Sequence, residues 1–240
     1  MKIIKNLSGL INAYSSLPEL GQYKQAIAKA RAEGDDKTEQ EYLLKAMSSW
    51  GKMILSKVGV TYTVHHKENL PKVGPVVYVC NHQGYADIPV LCAALDQVQF
   101  GFIARAGLEK VPFYGAWIDR VRSILIERED PRSSLKTIGT GITYLQRGFS
   151  LLIFPEGTRS QGGPMKEFKK GALKLATKPG VPIVPLTING TAKIFEETGA
   201  ITKAHVEIVV HQPISTDKLS RQEEKELSGK IFSIIQGGLN

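Results

Sequence analysis

The chain has 240 residues, 42% of them hydrophobic and 22% charged, which suits a globular protein with a large core and excludes a disordered chain. Two cysteines, Cys80 and Cys92, supply neither a secreted disulfide framework nor a four-ligand zinc site. The formal net charge of +8 admits an anionic partner without choosing among nucleic acid, anionic lipid and phosphorylated substrate. No apolar run reaches the ~18 residues of a membrane-spanning helix. With no cleavable signal sequence visible, a reducing compartment is expected.

Residues 1–58 read as helical. Ile3, Ile4, Leu7, Leu10, Ile11 and Tyr14 recur at three- and four-residue steps, with Lys2 and Lys5 beside the stripe and Pro18 ending it. A more polar helix is expected from Leu20 to Ala32, broken by Gly34, Asp35 and Asp36. Asp36 reads as the N-cap of the next helix, with Glu39 three residues later. That helix carries Leu43, Ala46, Met47, Trp50, Met53, Ile54 and Val58 on one face.

Residues 59–240 alternate short strands with helices. The expected strands are Thr61–His65, Val76–Cys80, Gln99–Ala104, Ser123–Ile126, Ser150–Phe154, Ile183–Ile188 and His205–Val210, all rich in Val, Ile and aromatics. Helices are expected near 87–95, 131–147, 168–178 and 219–236. This succession predicts an α/β fold with a mixed, largely parallel sheet flanked by helices. The Gly/Pro clusters at Pro71–Pro75, Gly162–Pro164 and Pro179–Pro182 read as loops inside one domain.

Two loops carry residue sets suited to chemistry. Asn81-His82-Gln83-Gly84-Tyr85-Ala86-Asp87 follows one apolar strand, a common ligand position in open α/β sheets. Asp87 on one ring nitrogen of His82 would leave the other nitrogen as a proton acceptor. A turn-capping histidine and a helix-capping aspartate remain the alternative at this level. Phe154-Pro155-Glu156-Gly157-Thr158-Arg159-Ser160 follows another strand. Here a glutamate can accept a hydrogen bond and an arginine can grip a phosphate bidentately; a tight turn with a surface ion pair is equally open. Beyond it, Arg159, Lys166, Lys169, Lys170, Lys174 and Lys178 face only Glu167 in charge. Arg105, Arg120, Arg122 and Arg128 lie near expected strand ends. There is no Gly-x-Ser-x-Gly elbow and no His-Glu-x-x-His or Cys-x-x-Cys pattern, so no metal and no cofactor is expected. Cys80 reads as a buried apolar filler.

Together these blocks resemble the glycerolipid acyltransferases, specifically the 1-acylglycerol-3-phosphate acyltransferases. Asn81–Asp87 matches the family's His-x4-Asp block. Leu125-Ile126-Glu127-Arg128 resembles the second block, Phe154–Ser160 the third, and Val181-Pro182-Ile183-Val184-Pro185 the fourth. The resemblance runs from about Thr61 to Val210, and four separated blocks agree in order. It implies a glycerol-3-phosphate acyltransferase-like fold and transfer of a fatty acyl group from acyl-CoA or acyl carrier protein to a glycerophosphate hydroxyl, lysophosphatidic acid being the expected acceptor and glycerol-3-phosphate or another lysophospholipid the alternative. It also implies His82 as general base with Asp87 as its orienter. For the acceptor it implies Arg128 and Arg159 at the phosphate, with Glu156, Gly157 and Thr158 shaping the site. Lys169 and Gly171 resemble the family's basic segment, and Arg105 stands where many relatives carry a lysine. The long apolar N-terminal spans of many relatives are missing, so the expectation is a peripheral or monotopic protein on the cytoplasmic face of the cell membrane. On this reading residues 1–58 meet an anionic phospholipid membrane and 59–240 form the catalytic domain. An anionic-membrane adaptor without turnover would leave both loops unexplained, and no nucleic-acid module accompanies the charge.

Overall fold

The computed structural model describes residues 20–111, 114–127, 130–169 and 171–239. Two helices come first, α1 (Gly21–Glu33) and α2 (Asp36–Val58). There follow β1 (Thr61–His65), β2 (Val77–Cys80), α3 (Asp87–Ala94), β3 (Phe100–Arg105), α4 (Tyr114–Arg120), β4 (Ile124–Ile126) and α5 (Pro131–Gln146). The chain then forms β5 (Ser150–Ile153), α6 (Lys174–Thr177), β6 (Ile183–Asn189), β7 (His205–Val210) and α7 (Arg221–Gly237). The sheet has seven strands in the order β1-β7-β6-β2-β5-β3-β4. Every neighbouring pair is parallel except β6 with β7, so the expected mixed, largely parallel α/β sheet is the fold observed.

The central strands are apolar because both of their faces are covered. Tyr78 and Cys80 of β2 join Val90 and Leu91 of α3, and Met47 and Leu55 of α2, on one side. Val77 and Val79, the alternate residues, join Leu145 of α5 and Ile231 and Ile235 of α7 on the other. Edge strand β1 alternates exposed and half-buried residues instead. Helix α2 crosses α3 closely: a Cβ on Gly51 would lie 2.6 Å from both the Ala93 nitrogen and the Pro89 carbonyl. Leu20, Ile27, Leu43 and Ala46 pack with Trp117 and Phe149, fixing α1 and α2 to the α/β layers.

Three expectations change. The helix over 168–178 contracts to α6, because Gly171 turns at φ +82° and Phe168 and Ala172 reach the core from irregular chain. Helix α4, absent from the sequence reading, places Trp117 in the interior. Asp36 is not the N-cap: Asp35 accepts from the Thr38 N–H at 3.0 Å, while Asp36 pairs with Arg147. Glu39 is fully buried, accepting Nε–H and Nη2–H bonds of Arg122 at 2.8 and 2.6 Å and an Nε–H bond of Arg31 at 2.9 Å. Two guanidiniums in a dry interior outweigh a reach back to its own helix cap.

Among the described residues no helix is long and apolar enough to cross a membrane. The Ile3–Tyr14 stripe, Arg128 and Lys170 lie outside the described residues.

The Glu39–Arg122 pair joins α2 to the turn before β4, so removing one partner should loosen the helical hairpin. Arg122→Ala is expected to lower stability by about 3–5 kcal/mol, the cost of a buried carboxylate losing its bidentate partner. Urea unfolding of the variant checks this, and a loss below ~1 kcal/mol would show that Arg31 alone suffices.

Candidate active site

Strand β2 pairs in parallel with both β5 and β6, so the loops after β2 and β5 leave the same edge of the sheet. The first of these begins at buried Asn81. Its side-chain amide donates to the Ile188 carbonyl at 2.9 Å and accepts from the Ile188 N–H at 2.8 Å, extending the pairing with β6 by one side chain. The following residues are held from the second loop. Glu156 accepts from the His82 N–H at 2.7 Å, the His82 carbonyl accepts from the Ser160 N–H at 2.7 Å, and the Gln83 carbonyl accepts from the Gln161 N–H at 3.0 Å.

His82 and Asp87 meet as the motif implied. His82 Nδ1 lies 2.6 Å from Asp87 Oδ2, and the Asp87 side chain is fully buried. The same oxygen accepts from the N–H groups of Gln83 and Gly84 at 2.8 and 3.1 Å. Oδ1 accepts from the Thr191 hydroxyl. Asp87 opens α3, where the positive end of the helix dipole favours a carboxylate. A carboxylate only accepts, so Nδ1 carries the proton, and in the neutral imidazole this leaves the lone pair on Nε2. The imidazole stacks on Phe154 with ring centroids 4.0 Å apart and an interplanar angle of 16°, which fixes its plane. Nε2 has no hydrogen-bond partner among the described residues, and His82 lines a cavity.

That cavity has a volume of about 830 Å³ and opens at the carboxyl ends of the strands. Its apolar wall comes from both sides of the sheet, with Met47, Trp50, Phe102 and Trp117 on one side and Ile138 and Leu175 on the other. Its polar wall is His82, Arg105, Thr158, Arg159 and Lys169 together with Gly157. Gly157 takes φ +67°, a conformation open to glycine, and its missing side chain leaves Lys169 room beside the loop. The Lys169 N–H closes the loop onto the Pro155 carbonyl at 2.8 Å.

Glu156 does not line the cavity. Its carboxylate is 1% exposed, with one oxygen on the His82 N–H and the other on the Lys166 N–H at 2.8 Å. Burial raises its carboxyl above the ordinary range, against the pull of these two N–H bonds. Its geometry is that of a tie between two loops. Arg159 is also less free than its position in the sequence suggested: Nη1 donates to Glu196 at 3.1 Å and the guanidinium lies 3.6 Å from the Tyr85 ring centroid. Cys80 is fully buried, and burial pushes its thiol well up, as suits a filler rather than a nucleophile.

Sequence reasoning missed the segment that follows β6. Gln83 donates to Asn189 at 3.4 Å and accepts from the Gly190 N–H at 2.8 Å. Thr191 supports Asp87, and Glu196 accepts from the Tyr85 N–H at 2.7 Å. The Asn189-Gly190-Thr191 turn was the available signal, since turn residues directly after an apolar strand sit at the same edge as the other loops. Trp50 and Met47 were read only as helix-face residues; their place in the cavity wall depends on how α2 crosses α3.

A family model described as Acyltransferase matches residues 61–189, more than half of the chain. A chloroplastic 1-acyl-sn-glycerol-3-phosphate acyltransferase of Brassica napus is 38% identical over 154 residues, which cover 63% of this chain and 44% of that protein. A 1-acyl-sn-glycerol-3-phosphate acyltransferase of Borreliella burgdorferi is 32% identical over 181 residues, covering 75% of this chain and 72% of the relative. The chain thus spans less than half the length of the chloroplastic relatives. The crystal structure of the 1-acyl-sn-glycerophosphate acyltransferase PlsC from Thermotoga maritima superposes with a TM-score of 0.77 at 26% identity, over 99% of this chain and 96% of that one.

Thr191 touches Asp87 and Gln83 but does not line the cavity, so its effect should run through the support of the His82 loop and imidazole. Thr191→Val keeps the shape and removes the hydroxyl donor. Turnover is expected to fall roughly 10-fold, the scale of one hydrogen bond to a charged group, with little change in acceptor KM. Steady-state kinetics with a folding control decide it; unchanged kcat would remove Thr191 from the support of the dyad.

Proposed function

The chain belongs to the acyltransferase family, and from that membership we propose that it moves a fatty acyl group from a thioester donor to the sn-2 hydroxyl of 1-acylglycerol-3-phosphate, forming phosphatidate. The observation that carries this reading is the His82 imidazole, held by buried Asp87, with an unpartnered Nε2 at a largely apolar cavity that also holds Arg159. The names of the relatives and of the Thermotoga maritima structure support the choice of acceptor.

A glycerol hydroxyl is a weak nucleophile while it keeps its proton. His82 Nε2 removes that proton as the oxygen attacks the thioester carbonyl. The imidazolium that forms is stabilised by Asp87, already fixed by two backbone N–H groups and the Thr191 hydroxyl. Collapse of the tetrahedral intermediate breaks the carbon–sulfur bond. The thiolate leaves and takes the proton from His82, so the base is regenerated and no covalent acyl-enzyme forms. Arg159, with Lys169 and Arg105 on the same wall and Arg128 in the second motif block, binds the acceptor phosphate. Charge-assisted bonds then convert a diffuse lipid encounter into an oriented one. The apolar walls take the fatty chains and keep water from the thioester.

In this reading the helical segment up to residue 58 brings the enzyme to an anionic phospholipid surface. The Ile3–Tyr14 stripe supplies apolar contact and Lys2 and Lys5 the headgroup attraction. Residues 59–240 carry the chemistry on the cytoplasmic face. Both acyl-CoA and acyl carrier protein are thioester donors that the chemistry accepts.

Purified protein given lysophosphatidate with either donor should form phosphatidate, identified by mass spectrometry. Binding of lysophosphatidate without product from either donor would sink the enzymatic reading and favour an adaptor. His82→Ala should stay folded and lose roughly 10²–10⁴-fold in kcat, the usual contribution of a general base; a folded variant with normal turnover would displace His82 from that role. Arg159→Ala should raise KM for lysophosphatidate more than for neutral monoacylglycerol, because a charge-assisted contact to phosphate is lost. Equal losses with the two acceptors would assign Arg159 to structure alone.

A further inference from the structure

A buried carboxylate beside the phosphate-binding arginine has no task in the chemistry above. Glu196 follows the turn Thr191–Ile194 that leaves β6, and its side chain is only 4% exposed. Oε1 accepts from the Tyr85 N–H at 2.7 Å and from Arg159 Nη1 at 3.1 Å. Oε2 is buried without a hydrogen-bond partner among the described residues. Gly84 leaves space for it: a Cβ there would stand 2.5 Å from Oε2. The Arg159 guanidinium lies over the Tyr85 ring, and Tyr85 in turn meets Phe195 edge-on with centroids 6.0 Å apart.

Arg159 is therefore fixed on two sides, on its face by Tyr85 and at Nη1 by Glu196. Nε and Nη2 donate to no described residue and stay free for an anion, and Arg159 lines the cavity that holds His82. A guanidinium has five donors in a rigid fork, so occupying one edge orients the other without disabling it. The same carboxylate opposes the charge that an incoming phosphate meets. Burial weakens solvent screening of that opposition, and Oε2 has no donor to disperse its charge.

We propose that Glu196 is a positioning and charge-tuning residue for the acceptor: it aims Arg159 at the phosphate and offsets part of the arginine's charge, setting how tightly phosphorylated acceptor and product are held. This rests on the phosphate-acceptor reading above. Acceptor and product carry the same phosphate, so a wall of Arg159, Lys169 and Arg105 with nothing to oppose it would retain both. Partial neutralisation weakens both and lets phosphatidate leave.

Glu196→Gln separates charge from shape. The amide oxygen still accepts from Tyr85 and Arg159, while the negative charge is gone. KM for lysophosphatidate should fall roughly 3- to 10-fold, the scale of one partly screened charge pair, while KM for neutral monoacylglycerol shifts less than about 2-fold. The gain should vanish when E196Q is combined with Arg159→Ala. Donor-free titration of lysophosphatidate against the fluorescence of Trp50 and Trp117, both on the cavity wall, should show the same tightening. Glu196→Asn, uncharged and still able to accept, carries the test if E196Q folds poorly. An unchanged or raised KM for lysophosphatidate, or equal shifts with both acceptors, would overturn the proposal. Wild-type protein that neither binds nor acylates lysophosphatidate would remove the acceptor reading and this inference with it. Normal wild-type turnover with an unshifted E196Q would remove the inference alone.

Discussion

Parallel pairing of β2 with β5 is the constraint from which the site follows. The register Val77↔Leu151 and Val79↔Ile153 ends both strands at one edge of the sheet, so the His82 and Glu156 loops emerge side by side although 74 residues separate them. The pairing alone would leave two adjacent loops free to drift. The Glu156 carboxylate removes that freedom by accepting one backbone N–H from each loop, His82 on one side and Lys166 on the other. Burying a carboxylate is unfavourable, and here two N–H bonds offset the cost. The reward is a His82 whose backbone, ring plane and Nδ1 partner are each fixed by a separate contact.

Part of the positive charge in this protein is paired within the fold. The formal +8 suggests a broad basic surface, yet several arginines that look available in the sequence are already paired. Arg31 and Arg122 share Glu39, Arg147 grips Asp36, and Arg159 meets Glu196. Arg120 lies 5.1 Å from the Trp117 ring centroid. What faces the cavity is a smaller group, with Arg105 and Lys169 beside an Arg159 that is already oriented. Under the proposed reading, a site so arranged would hold one phosphate in one place, whereas an unpaired basic patch would attract any polyanion.

The helical hairpin and the catalytic layers are physically continuous. Helix α2 packs on α3, the helix that opens with Asp87, and the approach is close enough that Gly51 has no room for a side chain. Met47 and Trp50 from α2 form part of the cavity wall that His82 also lines. Helix α2 thus shares a wall with the cavity that His82 lines. The same apolar wall lowers the local dielectric, which strengthens the His82–Asp87 pair.

Much of this was legible in the amino-acid order because the signals are local. The seven expected runs became the seven strands, with ends shifted by a residue or so; burial on both faces leaves the central strands few other residue types, while edge strand β1 alternates exposed and half-buried residues. The His-x4-Asp spacing brought Nδ1 to the carboxylate because five residues span one turn and a helix start. The four motif blocks pointed to the family for the same reason, as each is a short stretch of chain. What the sequence could not settle were contacts between residues far apart along it. Glu39 looked like half of a capping box, and only the crossing of α2 over the β4 turn made it the partner of two arginines. That Glu156 would accept a backbone N–H from each of two loops follows from the β2–β5 pairing, not from its motif. Glu196 and Thr191 carry no motif, because their partners lie 37 and 104 residues away in sequence. Spacing along a chain fixes what a helix turn or a strand end can reach; which distant carboxylate meets which cation is decided by sheet order and helix crossing, where burial makes an unpaired charge too costly to leave alone.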